Sequence, residues 1–179
     1  RIGGRGIHPV TAVAGGVTFS PDASLRKTLL DDAKEAMELG RFAAEMVKTL
    51  LARFADQYQD IVTTLELRTH YMGTVKDGKL NFYEGMIRTM DPEGKIVAEF
   101  DSADYTRYIV EEAVDWTYMK PTYIKKENEK HVYRVNTLAR VNVADGMETP
   151  LAQKELEMFR SEYGRPCHYT LMHHYARMI

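Results

Sequence analysis

Apolar residues recur every three or four positions over a long stretch near the start of the chain. Ser20, a residue type that caps helices, and Pro21, which suits the first helical turn, precede this series. Such spacing places side chains on one face of an α-helix. The pattern predicts one long amphipathic helix over about residues 21–54, with apolar positions at Leu25, Leu29, Ala33, Met37, Gly40, Ala44, Val47, Leu51 and Phe54.

Turn signals and β-favouring residues follow this helix. The pair Asp77-Gly78 suits a tight hairpin turn, and residues 91–94 (Asp-Pro-Glu-Gly) form a second turn signal. Because β-like runs flank both turns, we predict a small antiparallel β meander over about residues 68–100. A loose surface excursion remains the alternative.

The last part of the chain combines helix signals with segments that we interpret as irregular. Residues 101–113 begin with helix-capping residues, and Thr149-Pro150 opens a second helix that Gly164 ends. We interpret residues 115–130 as an aromatic loop followed by a charged stretch, and residues 135–146 as irregular. With neither repeat nor linker, residues 1–179 are expected to form a single domain, and the predicted fold class is α+β, dominated by helix.

Composition excludes several classes of function. The chain is 44% hydrophobic and 28% charged, and its 24 basic and 26 acidic residues give a net charge of −2. This balance argues against nucleic-acid binding and against an anionic membrane surface. No apolar run is long enough to span a membrane. A single cysteine suits the reducing cytoplasm, which is the location we expect.

His8 lies between two glycine pairs, which allow close backbone packing. A histidine in such a segment can donate a hydrogen bond or move a proton. The alternative, a loop histidine that satisfies backbone carbonyls, remains open.

The other candidate side chains do not form a metal or nucleophilic site in the sequence. His168, His173 and His174 are spaced so that no two fall on one helix face with ligand spacing, and we expect them to be surface or hydrogen-bonded histidines. Cys167 and His168 are adjacent, so on a helix their side chains would point about 100° apart. The lone cysteine also excludes an internal disulfide and every multi-cysteine metal site.

Arg134 and Arg140 lie six residues apart in an apolar run. Arginines in such settings bind carboxylates or backbone carbonyls and hold loops in place. Two internal salt bridges and a role at a cofactor or partner surface both remain open.

Four segments together resemble the large subunit of nickel–iron hydrogenases. They are IGGRGIHPVTAVAGGVT at 2–18, WTYMKPTYIK at 116–125, YRVNTLARVNVADGMETPLA at 133–152 and HYTLMHHYARMI at 168–179. Their order and spacing cover essentially the whole chain. The resemblance is strongest to the cytoplasmic bidirectional, NAD-reducing type.

The resemblance implies a parent subunit that catalyses reversible H2 oxidation and passes electrons through iron–sulfur clusters toward NAD(P) or a similar acceptor. Its nickel–iron centre carries carbonyl and cyanide ligands and is held by two Cys-x-x-Cys pairs, one near each end of the subunit. Neither pair is present here, and Cys167 matches neither. The resemblance therefore implies that this chain is a central scaffold fragment that binds no metal or other cofactor and is inactive alone.

Residue roles and partners also follow from the resemblance. His8 matches a histidine near the proximal iron–sulfur cluster of the small subunit and is the one functional residue that the resemblance carries over, whereas Arg134 and Arg140 remain possible structural or cofactor-shell residues. The implied partners are the iron–sulfur small subunit and diaphorase subunits. One departure is that Asn136-Thr137 stands where the family has Gly-Pro.

Two further expectations concern the chain as a piece. It starts at Arg1 rather than Met and ends in an apolar segment, as an excised fragment would, and we expect self-association through an apolar face around Leu171, Met172 and Met178. The alternative to the fragment hypothesis is a non-enzymatic structural or interaction protein that lacks the metal-binding cysteines.

Overall fold

The computed structural model describes residues 7–8, 10–126 and 129–179, without the side chains of residues 55, 56 and 58. Residues 1–6 and Pro9 of the glycine-rich segment at the start of the chain lie outside these residues. The chain divides into two units, Arg1–Phe54 and Ala55–Ile179, which are described separately. That the two form one domain stays a prediction.

The first unit contains a short hairpin and one long helix. Strands β1 (Ala12–Val13) and β2 (Gly16–Val17) pair antiparallel. Helix α1 runs over Ala23–Arg53, which confirms the predicted long helix. It begins after Asp22 rather than Ser20, because the Asp22 carboxylate accepts a hydrogen bond from the backbone N–H of Leu25 at 2.8 Å. None of its residues is buried.

The second unit opens with helix α2 (Ala55–Thr64) and continues into a five-stranded sheet. The strands are β3 (His70–Lys76), β4 (Lys79–Leu80), β5 (Met86–Met90), β6 (Ile96–Phe100) and β10 (Tyr133–Arg134). Three of them form a meander in which β5 lies between β3 and β6, and β4 pairs with the end of β3. At the other edge β10 joins β3 in parallel.

A second, three-stranded sheet lies between β6 and β10 in the sequence. A 3-10 helix over Ser102–Arg107 leads into it. Strand β8 (Thr122–Lys126) pairs antiparallel with both β7 (Ile109–Glu111) and β9 (Glu129–His131).

Three helices complete the second unit: α3 (Thr137–Val143), α4 (Pro150–Tyr163) and α5 (His173–Ala176). Helix α4 has the predicted ends, since Thr149 caps its start and Gly164 follows its last residue. Helix α3 contributes to two apolar clusters. Leu138 packs with Leu156 and Phe159, whereas Ala139 packs with residues of the sheet.

The predicted fold class, a helix-dominated α+β chain with one small meander, is wrong. The described residues form a mixed α/β structure with three small sheets, of which one has five strands. The meander at 70–100 is only part of that larger sheet. Strand β10 was missed because its pairing partner β3 lies about sixty residues away in the sequence. The short strands β7 to β9 pair with near neighbours, but they lie partly in the aromatic and charged stretch that was interpreted as a loop.

Two further segments differ from the prediction, and one residue of the predicted self-association face is buried. The segment 101–113 forms a 3-10 helix and a strand rather than an α-helix, and residues 137–143 form α3 rather than an irregular segment. Met172 is buried in the core, so it cannot belong to the predicted self-association face, although Met178 is exposed. No helix in the described ranges combines the length and apolar character needed to cross a membrane.

Candidate functional site

The most concentrated polar chemistry of the second unit surrounds the C-terminal end of α3. The last carbonyls of a helix have no partner within the helix and need external donors. Arg160 on α4 donates to the carbonyls of Val141 and Ala144 at 2.7 and 2.6 Å. Arg165 donates to the Asn142 carbonyl at 2.8 Å. The helix end is thus held by arginines, whose charge also complements the helix dipole.

Asp145 ties these cations into one ion cluster. Its carboxylate accepts hydrogen bonds from Arg88 at 2.8 Å and from Arg165 at 3.0 Å. Burial opposes the charge on Asp145, but the two guanidinium groups outweigh it and lower the pKa of Asp145. Burial alone would lower the pKa of Arg88, yet bonds to Asp145 and Glu99 raise it. Asp145 and Arg88 therefore remain charged at neutral pH.

Burial dominates at Arg160 and lowers its pKa to about 10, with the charge of Arg165 adding to the effect. The guanidinium remains protonated at neutral pH and keeps its donors for the carbonyls. Arg160 therefore acts as a structural clamp rather than as a proton-transfer group.

Cys167 is fully buried and its backbone is fixed by Asn142. The Asn142 amide oxygen accepts from the Cys167 N–H, and the amide nitrogen donates to the Cys167 carbonyl, both at 3.0 Å. Burial raises the pKa of the Cys167 thiol. A neutral, enclosed thiol is a poor nucleophile, which agrees with the sequence interpretation.

His168 interacts with Tyr71. Its Nδ1 lies 2.6 Å from the Tyr71 hydroxyl, which is also 3.1 Å from the Cys167 carbonyl. Burial raises the pKa of Tyr71 to about 12 and lowers that of His168. His173 and His174 lie with ring centroids 3.8 Å apart. Among residues 7–8, 10–126 and 129–179, no three His, Cys, Asp or Glu side chains are grouped closely enough to hold a metal ion.

Arg134 holds two backbone segments together. It belongs to β10, and its Nη2 donates to the Leu67 carbonyl at 2.6 Å, just before β3 begins. Arg134 therefore fixes the parallel edge of the five-stranded sheet through a carbonyl, one of the two partners expected for it from the sequence.

Arg140 occupies a different environment, in a pocket of about 280 Å³. Its guanidinium carbon lies 4.9 Å from the ring centroid of Phe82, a cation–π contact. The internal salt bridge considered for Arg140 does not form among the described residues. Arg134 does not line this pocket, so the two arginines that the sequence suggested as a pair lie in separate environments.

His8 lies in the first unit, on an exposed backbone turn with φ of 53°. Histidine tolerates this left-handed conformation better than most residues. Residues 1–6 and Pro9 lie outside the described part of the chain. The role of His8 near an iron–sulfur cluster stays a prediction.

Known hydrogenase subunits align with essentially the whole chain. The F420-non-reducing hydrogenase vhc of Methanococcus voltae contains a homologous polypeptide that is 39% identical over 181 residues, which is 100% of this chain and 38% of the relative. The corresponding polypeptide of the vhu enzyme of Methanocaldococcus jannaschii is also 39% identical, over 99% of this chain and 42% of the relative. The chain is a homologue of part of these hydrogenase subunits.

A solved structure supports the same relationship. The crystal structure of an NAD+-reducing NiFe hydrogenase in the H2-reduced state matches 96% of this chain and 38% of that chain, with a TM-score of 0.77 and 27% identity. The beta subunit of the NAD-reducing hydrogenase HoxS of Cupriavidus necator is 30% identical over 98% of this chain. No protein-family model matches. This hydrogenase homologue spans about two fifths of the length of the curated relatives it matches.

A nickel–iron centre does not fit the residues of this hydrogenase homologue. Such a centre requires several thiolates for its soft metals. The chain has one cysteine, and Cys167 is fully buried with its backbone bound by Asn142. We therefore assign no step of hydrogen chemistry to these residues.

The sequence did not reveal the arginine and carboxylate cluster. The cluster residues come from three separate parts of the chain and meet only in the folded structure: Arg88 lies in β5, Asp145 follows α3, and Arg160 and Arg165 lie at the end of α4. No local motif marks them. The one available signal was the neighbouring segment 133–152, which carries much of the family resemblance.

Proposed function

We propose that this chain is the central scaffold portion of a nickel–iron hydrogenase large subunit. The proposed parent subunit catalyses reversible oxidation of H2 and passes electrons through iron–sulfur clusters toward NAD(P) or a similar acceptor. The observation that carries the proposal is the alignment of 98–100% of this chain with hydrogenase subunits of which it covers only 37–42%.

Some relatives are named F420-non-reducing and one is named NAD-reducing. The proposal therefore extends to NAD(P) or a similar acceptor. The proposed partners are an iron–sulfur small subunit and diaphorase subunits, and the proposed location is the cytoplasm. His8 is the residue proposed to lie near electron transfer.

The contribution proposed for this portion is packing. Three arginines hold the end of α3, and Asn142 fixes the segment around Cys167. Charged groups held by fixed hydrogen bonds keep one arrangement of backbone, which suits a portion that surrounds a metal centre supplied with ligands by other segments. Arg134 and Arg140 are proposed to belong to this surrounding region.

The lack of a second cysteine favours a second candidate, a non-enzymatic structural or interaction relative. This candidate predicts no hydrogen chemistry in any longer protein that contains the chain. The first candidate predicts such chemistry there and none in the chain by itself.

Metal analysis combined with a hydrogen-uptake assay tests the proposal. The 179-residue chain, and the longer subunit purified from its native host together with its partner subunits, are tested for nickel and for H2-dependent reduction of a viologen dye. We expect nickel and activity only in the longer subunit. Stoichiometric nickel with hydrogen uptake in the chain alone, or neither property in the longer subunit, would contradict the proposal.

A further inference from the structure

The pocket beside Arg140 combines an apolar floor with a positive rim. It has a volume of about 280 Å³ and lies between the segment after β4, helix α3, the start of α4 and the last residues of the chain. Leu80, Val141, Met147 and Ala176 supply apolar surface. Such a mixture of apolar walls and a few charged groups is typical of sites for small ligands or single side chains.

Two arginines on the pocket wall have no ionic partner. Within the part of the chain that the structure describes, no carboxylate side chain lies within ion-pair distance of Arg140 or Arg177. Arg140 is half-buried, and Phe82 covers one face of its guanidinium group. The N–H groups at the edge of the guanidinium plane remain available as donors.

The other charges near the pocket leave it positive. The start of α4 faces the pocket through Thr149 and Ala152, and the N-terminal end of a helix carries partial positive charge. Glu148 is the one acidic side chain on the described wall, and its carboxylate accepts a hydrogen bond from the Asn81 side chain at 3.0 Å. Among the described side chains of the wall, two guanidinium groups therefore face one carboxylate.

We propose that this pocket binds a carboxylate attached to an apolar body, with Arg140 and Arg177 pairing with the carboxylate. The guanidinium fork matches carboxylate geometry, and the apolar floor accepts the attached hydrocarbon. The ligand is either a free organic acid or an acidic side chain with apolar neighbours from another protein segment. Both sources present the same chemistry, and the binding requires neither nickel nor hydrogen.

Titration of the 179-residue chain with octanoate tests the site, and octanamide serves as the neutral control. Amide NMR shifts are followed at Asn81, Thr137, Thr149 and Ala176, which line the pocket. We expect saturable shifts with octanoate and much weaker ones with octanamide. Absence of shifts, or equal binding of the acid and the amide, would overturn the proposal.

Charge-removing variants assign the binding to the two arginines. Arg140→Gln is expected to weaken octanoate binding roughly tenfold, because it removes a charged donor beside an apolar floor. Arg177→Gln affects an exposed group, so its fold is secure and the expected loss is roughly threefold. Arg107→Gln removes the same charge outside the pocket and is expected to leave binding unchanged. Unchanged binding in both pocket variants would contradict the assignment.

The source of the carboxylate is separated by repeating the titration on the proposed longer subunit. If another protein segment fills the pocket there, octanoate causes no shift in that subunit but still binds the 179-residue chain. A free organic acid as ligand predicts binding in both. This comparison rests on the proposed function, whereas binding to the chain itself does not.

Discussion

At residue 136 the backbone adopts a conformation that asparagine rarely takes. Asn136 has φ of 150°, in the region that glycine populates most readily. Its side-chain oxygen accepts a hydrogen bond from the Ala139 N–H at 3.2 Å and so caps α3. By the sequence resemblance, hydrogenase large subunits carry glycine at the matching position. Backbone strain at this residue therefore lowers the stability of the folded chain, whereas the capping hydrogen bond raises it.

Asn136→Gly is expected to raise the free energy of unfolding. Relief of backbone strain contributes about 1 kcal/mol or more, whereas exchange of an asparagine cap for glycine costs only a few tenths. Urea denaturation followed by circular dichroism measures the change. Asn136→Ala is the matched control, because it loses the cap and keeps a Cβ, and it should be destabilised. A glycine variant less stable than the parent chain would show that the cap outweighs the strain.

Two histidines make stability depend on mild acid. Burial lowers the pKa of His70, with the charge of His131 adding to the effect, and burial also lowers the pKa of His168. In the unfolded chain both return to about 6.5. Between the folded and unfolded pKa values the unfolded chain binds more protons, so acidification favours unfolding.

The free energy of unfolding is therefore expected to be fully retained above about pH 6.5 and to fall as the pH drops from there towards the folded pKa values. Urea titrations at a series of pH values measure this slope. The double variant His70→Gln/His168→Gln should have a flatter profile, and the exposed His174→Gln should retain the original one. If the free energy of unfolding depended on pH equally in all three proteins, the acid sensitivity could not be assigned to His70 and His168.

At the scale of elements, contact between β3 and α3 connects the sheet to the helices. A Cβ on Gly73 would lie 2.8 Å from the Val143 side chain and 3.4 Å from the Arg140 backbone. Only glycine allows the strand and helix to approach this closely. The same helix carries Arg140 into the pocket, so this contact also positions the proposed carboxylate site.

Gly73→Ala is expected to lower the free energy of unfolding by about 1–3 kcal/mol, because an overpacked interface must shift. Gly40→Ala is the control: it lies in α1 with no atom within 4 Å of its added Cβ, and it should be neutral or stabilising. Thermal and urea denaturation of the two variants measure the difference. Equal effects would mean that the strand and helix are not in close contact.

The end of α3 gives a second prediction at this scale. Arg160→Met retains much of the apolar stem but leaves the buried carbonyls of Val141 and Ala144 without donors, at a cost of about 2–4 kcal/mol. Arg107→Met removes an exposed arginine and should change stability little. Denaturation midpoints compare them. An Arg160 variant as stable as the Arg107 variant would contradict the role of Arg160 in holding the end of α3.

Elements with strong local signals were predictable, and short or distantly paired elements were not. Helix α4 has a capping residue, a proline in its first turn and a glycine after its last residue. Helix α1 has apolar residues that recur every three or four positions along its length. Helix α3 has only seven residues, and β10 has two, so neither carries enough pattern to be recognised alone. Their structure depends on contacts with β3 and the arginine cluster.

For the molecule as a whole, the functional prediction rested on the family resemblance, because the spacing of the candidate residues did not indicate an active site. The sequence placed Arg134 and Arg140 together as candidates for one role, but it did not separate an arginine that binds a backbone carbonyl from one that lines a pocket. That distinction depends on which side chains fold beside each arginine. His8 remains the proposed link to electron transfer.

The central claim is that this scaffold belongs to a larger hydrogenase subunit whose other segments hold the metal. Sequencing the genomic reading frame on both sides of the codons for Arg1 and Ile179 tests it most directly. We predict an uninterrupted reading frame with a Cys-x-x-Cys pair in each flank. A start codon directly before Arg1 and a stop codon directly after Ile179 would contradict the claim.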